Sequence, residues 1–382
     1  MARLIGQGPH APAGSGLGSV ANTTVVCALS GGVDSSVAAA FLVRAGFNVI
    51  GVTLQLWPEW LPADHEGGCC SLAAVEDARR VARRLGIPYY VFNMQEAFED
   101  EVIRPFARTY LAGQTPNPCL LCNKRIKLGA LLDKALELGA GYVATGHYAR
   151  IAWNAERGRY TLRQGVDRAK DQSYALSLLG QEQLAHTVTP LGILTKPVTR
   201  KVAAALGLVT ARKPESQEIC FVPDNDYRRF IREYTGAQPS PGPVVNRQGQ
   251  VLGEHRGLPF YTIGQRKGLN VASPRPLYVL EIDVAHNRLV VGERSQAECM
   301  ELTAGDVNWV AIAGLPPEGM RVQARVRYRV EPAPAWVYPG ERPDVVRTVF
   351  DRPQFAITPG QTVVWYDRDE VVGGGTILPA HA

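Results

Sequence analysis

Thr24-Val25-Val26-Cys27-Ala28-Leu29-Ser30-Gly31-Gly32-Val33-Asp34-Ser35-Ser36 is the stretch whose reading decides the fold. Its first six residues are apolar and β-prone, the mark of a fully buried strand. From Val33 to Phe41, Val37, Ala38 and Phe41 recur at helical spacing. The segment is therefore a strand, a glycine turn and a helix start. Gly31 and Gly32 let the backbone turn sharply and approach a ligand closely. Ser30, Ser35 and Ser36 set hydroxyls beside free N–H groups at the positive end of the helix dipole, an arrangement that suits a phosphate. The bland alternative is an ordinary glycine turn.

Outward from this turn, strand and helix alternate. Asn48 to Leu56 and Tyr89 to Phe92 read as strands, Leu72 to Leu85 and Gln95 to Leu111 as helices, and Gly141 to Thr145 as a further strand. That order predicts a doubly wound α/β domain with a parallel sheet, whose ligand site lies at the carboxyl ends of the strands. The lysine-bearing G-x-x-x-x-G-K-[ST] pattern is missing. Instead, Ser30 to Ser35 resembles the pyrophosphatase (PP) loop of ATP-splitting adenylating enzymes. That resemblance implies an adenine-nucleotide α-hydrolase-like fold, a loop that holds the departing pyrophosphate, and Asp34 near the Mg2+ that accompanies ATP.

A chain of 382 residues holds two or three domains. With 46% hydrophobic and 20% charged residues it belongs to the globular class, and a net charge of +5 leaves any nucleic-acid affinity to local patches. Residues 1–21 are rich in Gly, Ala and Pro and read as a disordered tail without a signal-peptide core. No apolar run reaches membrane-spanning length, so no membrane partner is expected. Seven cysteines without a secretion signal point to a reducing, cytoplasmic setting. Cys69 and Cys70 read as small buried residues of a loop.

Residues 113–127 read Gly-Gln-Thr-Pro-Asn-Pro-Cys-Leu-Leu-Cys-Asn-Lys-Arg-Ile-Lys. Pro116 and Pro118 force an extended approach, and Cys119 and Cys122 lie one helical turn apart. Lys124, Arg125 and Lys127 follow, and nearby positive charge lowers a thiol pKa. A nucleophilic thiolate, a metal pair and two buried thiols all remain open here. His147 ends a strand, Lys170 to Tyr174 reads as a helix cap, and Cys220 alone reads as a structural thiol. Residues 238–276 carry many Gly and Pro and predict a small, mostly-β connector. Beyond Glu301 the chain is strands and turns. Arg321 to Val330 alternates as a strand with four arginines on one solvent face, either a solvated edge or a phosphate-backbone track. Gly373-Gly374-Gly375 reads as a turn closing a small β-barrel.

The motifs then converge. The Ser30–Ser36 loop, Thr115-Pro116-Asn117-Pro118 with Cys122-Asn123, Thr145-Gly146-His147-Tyr148-Ala149-Arg150 and Lys170-Asp171-Gln172-Ser173-Tyr174 follow one another. Ser216-Gln217-Glu218-Ile219-Cys220-Phe221, Thr262-Ile263-Gly264-Gln265-Arg266 and Arg327-Tyr328-Arg329 complete the set. From about residue 22 to the C-terminus the sequence resembles the tRNA-specific 2-thiouridylase family.

The resemblance implies ATP- and Mg2+-dependent adenylation of O2 of the wobble uridine (position 34) in tRNA for Lys, Glu and Gln, followed by sulfur transfer. By position, Cys122 matches the nucleophilic cysteine and Cys220 the persulfide carrier, joined by a transient disulfide. Ala28, Leu29, Ser30, Gly31, Gly32, Val33, Asp34, Ser35, Leu54 and Gly146 match ATP contacts. Asn117, Pro118 and Cys119 match the segment that meets the target base. His147, Lys170, Asp171, Gln172, Arg327, Tyr328 and Gln361 match tRNA contacts. Many members carry aspartate where this chain has Cys119. Three cysteines, Cys119, Cys122 and Cys220, are also the ligand set of an iron–sulfur (4Fe-4S) cluster with an open iron, which would deliver sulfide instead. A different adenylating ligase and an RNA-binding protein that has lost catalysis are the remaining alternatives. The implied partners are tRNA and a sulfur-carrier protein or a cysteine-desulfurase-derived persulfide donor, with the enzyme a monomer. The expected layout is a tail (1–21), a catalytic domain (22–222), a connector (223–298) and a tRNA-binding barrel (299–382).

Overall fold

Val25, Val26 and Cys27 are completely buried, and the strand they form, β1 (Thr24–Ala28), is the centre of a five-stranded parallel sheet. The computed structural model describes residues 22–57, 71–214, 219–222, 224–342 and 344–380; Cys69, Cys70 and residues 216–218 lie outside them. On one side β1 pairs with β2 (Asn48–Gln55), which pairs with β3 (Tyr89–Asn93). On the other side come β4 (Tyr142–Ala144) and, after a hairpin of β5 (Ala149–Asn154) and β6 (Arg159–Gln164), β7 (Thr187–Val188). The chain therefore reverses its direction of travel across the sheet at β1, and the loop after β1 opens into the crevice where such folds bind ligands.

The helices behave as their spacing predicts. Val33–Arg44 lays Val37, Ala38, Ala39 and Leu42 on the sheet, and its small residues let it approach closely. Leu72–Leu85 starts where the Ser71 hydroxyl accepts the Ala74 N–H at 3.2 Å and stops at Gly86, whose φ of +68° is the usual glycine terminus.

The connector is a four-stranded sheet of β8 (Gly242–Val245), β9 (Val251–His255), β10 (Tyr278–Asp283) and β11 (Arg288–Gly292). It is preceded by a helix, Tyr227–Thr235, that composition alone did not suggest. The C-terminal unit comprises β12 (Glu298–Trp309), β13 (Met320–Arg325), β14 (Ala333–Pro339), β15 (Val346–Phe355), β16 (Thr362–Asp367) and β17 (Glu370–Ile377). Pairing of β12 with both β15 and β17 closes these six strands into a barrel around Trp365, whose indole N–H donates to Thr348 Oγ1 at 3.0 Å. The β5–β6 hairpin of the first unit adds to the barrel edge at β17, with Arg150 bound to Asp369 and Arg157 and Arg163 both bound to Glu370.

Two sequence expectations change here. The alternating run Arg321 to Val330 is a strand only to Arg325, because the ladders to β14 and β16 end at Ala324 and Arg325. Its four arginines do not share one solvent face: Arg321 pairs with Asp351, Arg325 approaches Asp171 and Arg327 turns inward, while Arg329 stays exposed. Gly373-Gly374-Gly375 is not a turn but the middle of β17. A Cβ at Gly373 would sit 2.5 Å from the Asn308 carbonyl oxygen, and one at Gly375 would sit 3.0 Å from that of Gly305. The glycines are there for barrel closure.

Candidate active site at the end of the parallel sheet

The turn after β1 is built as a cradle. Gly31 adopts φ +66°, and a Cβ there would lie 2.2 Å from the Ala74 carbonyl oxygen, so only glycine fits. The Ser35 hydroxyl accepts the Ser30 N–H at 3.1 Å and donates to the Gly32 carbonyl at 3.3 Å. Ser36 donates to the same carbonyl at 2.7 Å and accepts from Thr210 at 3.0 Å. Under the loop, Thr53 donates to the Leu29 carbonyl at 2.7 Å and accepts from Tyr89 at 2.8 Å. A cavity of about 200 Å³ opens above it, walled by Ala28, Leu29, Ser30, Asp34, Ser35, Leu54 and Gly146. Gly31, Gly32 and Val33 form the turn beneath these walls. Gly146 closes on the loop so tightly that a Cβ would stand 2.7 Å from the Ser35 nitrogen. The hydroxyls and the helix N-terminus fit the phosphates of a nucleotide.

Asp34 faces this space with its carboxylate held on two sides. Lys196 Nζ lies 2.8 and 2.7 Å from its two oxygens, and the Tyr148 hydroxyl donates to Oδ1 at 2.8 Å. Lys196 comes from the start of a helix 162 residues away, and no signal in the sequence announced it. Tyr148 was visible only as a motif member; its backbone N–H also donates to Gln172 Oε1 at 3.0 Å. His147 Nδ1 is 2.8 Å from Thr145 Oγ1. Desolvation, helped by the Lys127 charge, pushes the His147 imidazole down to about 3, so it stands neutral at physiological pH.

A second cavity of about 630 Å³ adjoins the cradle and brings together Cys119, Cys122 and Cys220 with Asn117, Pro118, Lys170 and Tyr328. Cys122 is buried, Cys220 partly exposed and Cys119 exposed. Cys220 is anchored through its neighbour. Phe221 is buried edge-on against Phe98 and Phe106 and tilted against Phe230, with ring centroids 5.7, 5.1 and 5.2 Å away. Cys27, buried in β1, is held as a thiol by desolvation that pushes it up to about 12, which removes it from the chemistry. Among the described residues no three His, Cys, Asp or Glu side chains converge closely enough to hold a single metal ion. The two cavities share Asp34, Leu56, Lys127, His147 and Gln172 and form one continuous cleft.

Several residues expected at tRNA act within the protein here. Gln361 Nε2 donates to the carbonyls of Thr115 and Pro116, both at 3.0 Å, and the Thr115 N–H donates to Pro359 at 2.9 Å. The barrel thus holds the segment that leads into Asn117 and Pro118. Arg327 donates to the carbonyls of Ile263 and Ala356 at 3.1 and 2.7 Å and to Thr358, tying connector to barrel. Asp171 is buried, accepting the Gly165 and Ser173 N–H groups at 3.0 and 3.1 Å, and its carbonyl accepts the Tyr328 hydroxyl at 3.1 Å.

Comparison with known proteins agrees along the whole described chain. Residues 23–224 match the family described as tRNA methyl transferase HUP domain, 228–293 the tRNA methyl transferase PRC-barrel domain, and 299–377 the aminomethyltransferase beta-barrel domain. The tRNA-specific 2-thiouridylase MnmA of Heliobacterium modesticaldum is 57% identical over 93% of this chain and 92% of its own length. That of Moorella thermoacetica is 56% identical over 92% of this chain and 98% of its own. Among solved structures, a 4-thiouridine synthetase–RNA complex with bound ATP is similar over 56% of this chain and 50% of that one, at 17% identity and a TM-score of 0.34, too remote to carry an argument.

Proposed function

This chain belongs to the tRNA-specific 2-thiouridylase family and is a tRNA sulfurtransferase, and from that premise we propose that its single cleft adenylates the wobble uridine and then exchanges the activated oxygen for sulfur. The observation that supports this reading is the shared wall of the two cavities, one lined by the phosphate loop and the other by the three thiol side chains. Methyl transfer would use neither the phosphate cradle nor the thiols.

In the proposed sequence the Ser30–Ser35 loop receives the triphosphate, and Asp34 meets the Mg2+ that enters with ATP. O2 of the uridine attacks the α-phosphorus; its new O–P bond forms as the bond to the β-phosphate oxygen breaks, pyrophosphate leaves and the N3 proton passes to solvent. Cys220 carries a persulfide from a sulfur-carrier protein or a cysteine-desulfurase donor. Its terminal sulfur bonds to C2, and AMP departs with the former O2. The Cys122 thiolate then attacks Cys220 Sγ, breaking the S–S bond to free 2-thiouridine and leaving a Cys122–Cys220 disulfide. A dithiol reductant returns both thiols with two electrons and two protons.

Asn117, Pro118 and Cys119 meet an unstacked base, as RNA readers commonly do. His147, Lys170, Gln172, Tyr328 and the barrel (299–382) meet the tRNA of Lys, Glu and Gln. The setting is a cytoplasmic monomer; among the described residues no helix is long and apolar enough to cross a membrane. The test is nucleoside mass spectrometry of unmodified lysine tRNA incubated with ATP, Mg2+ and a persulfide donor. ATP-dependent 2-thiouridine supports the assignment, whereas AMP formation without a thiolated base overturns the substrate.

A further inference from the structure

The thiol-bearing segment contains a geometric feature that a regular helix would not provide. Five residues along an α-helix advance about 140° beyond a full turn, which would point Lys127 away from Cys122 and Ile126 towards it. Cys122–Ala130 is instead a π-helical stretch with non-helical backbone at Leu128, and its wider turn leaves the fifth residue nearer the face of the first than an α-helix does. Ile126 is completely buried in the core, while Cys122 and Lys127 both line the thiol cavity. Lys127 also lines the nucleotide cradle and is its one lysine or arginine among the described residues. Its ammonium stands close enough to His147 to help keep that ring neutral. Lys196, which with Lys170 also lines the thiol cavity, is engaged with both oxygens of Asp34.

We propose that Lys127 is a catalytic cation at the junction of the two half-reactions, an inference that rests on the adenylation–thiolation reading above. In the first step negative charge builds on the α-phosphate as the O2–P bond forms and pyrophosphate leaves. In the second, the same phosphate departs on AMP as the C2–O bond breaks. A fixed cation between cradle and thiols stabilises both transition states at one position, without proton transfer of its own. The π-helical turn is the device that aims it there. Such oriented charge in a partly desolvated cleft is worth more than in water.

The test uses the full-length protein with unmodified lysine tRNA and follows tRNA-dependent exchange of labelled pyrophosphate into ATP, alongside tRNA affinity and thermal melting. Lys127→Gln is expected to slow exchange about 100-fold. Its tRNA affinity should stay within about threefold, and Lys127→Arg should restore about a tenth of the rate or more. If Lys127→Gln lowers the melting temperature, Lys127→Met, which keeps the apolar stem, carries the same test. Exchange within about threefold of the wild type in the neutral variants overturns the proposal, as does a loss of exchange matched by an equal loss of tRNA binding. A wild type that shows no exchange and makes no 2-thiouridine overturns the adenylation reading itself, and this inference with it.

Discussion

Replacing Gln361 by Ala removes two hydrogen bonds, to the carbonyls of Thr115 and Pro116, and leaves the Thr115 N–H bond to Pro359 as a direct backbone tie between that loop and the barrel. At a net contribution of about 1 kcal/mol each, the docked position of residues 115–118 loses about 2 kcal/mol. That corresponds to a shift of up to about 30-fold in the docked-to-undocked equilibrium. Because Cys119 and Cys122 follow this segment directly, the cost should fall on turnover. The assay is single-turnover formation of 2-thiouridine at saturating tRNA, with tRNA affinity measured separately at two salt concentrations. The rate should fall by up to about 30-fold while affinity changes less than about threefold. Gln361→Glu, nearly the same shape, sets a carboxylate against two carbonyl oxygens and should be worse than Ala. A rise in Kd with an unchanged single-turnover rate would refute the reasoning and make Gln361 purely a tRNA contact.

Other outcomes follow from the same geometry. Cys220→Ser and Cys122→Ser should each abolish 2-thiouridine yet retain tRNA-dependent pyrophosphate exchange, since neither thiol lines the nucleotide cradle; loss of exchange in both would place them in adenylation. In Gly146→Ala the new Cβ, 2.7 Å from the Ser35 nitrogen, must gain about 0.7 Å, and displacement on that scale should lower kcat/KM for ATP by 10- to about 100-fold, readable by steady-state kinetics. His147 titrates at about 3 when folded against 6.5 in the unfolded chain, so the unfolded state binds more protons between those values. Stability is therefore unaffected by this group above pH 6.5 and falls as pH drops from 6.5 towards 3. Urea midpoints of His147→Asn should show a flatter acid limb, and an identical limb would mean that His147 is already solvated.

Legibility in the sequence followed the range of the interaction. The alternation in Arg321–Val330 is real, but a strand needs neighbours, and the partner strands end opposite Arg325. Arg327 then finds carbonyls of the connector and barrel instead of solvent. Three consecutive glycines signal a turn when read locally. In β17 Gly373 and Gly375 answer to backbone atoms of β12, more than 60 residues upstream, that no local pattern reveals.

The sequence by itself determined what depends on neighbours along the chain. The buried strand into Ser30, the positive-φ glycine, the helix that follows, the capping of Leu72–Leu85 and the parallel order of the first sheet strands all follow from periodicity and local sterics. Motif resemblance pointed to Cys122 and Cys220, which line one cavity in the folded chain. Only the tertiary structure decided how distant groups meet: Lys196 on Asp34, Gln361 under Thr115, and the two cavities joined across Lys127 and His147. These contacts span 162 and 246 residues in two of the cases, and their geometry is fixed by how sheet, connector and barrel close on one another. A side chain's type constrains what it can bind, but its partner is set by the packing of whole elements, which residue spacing does not encode.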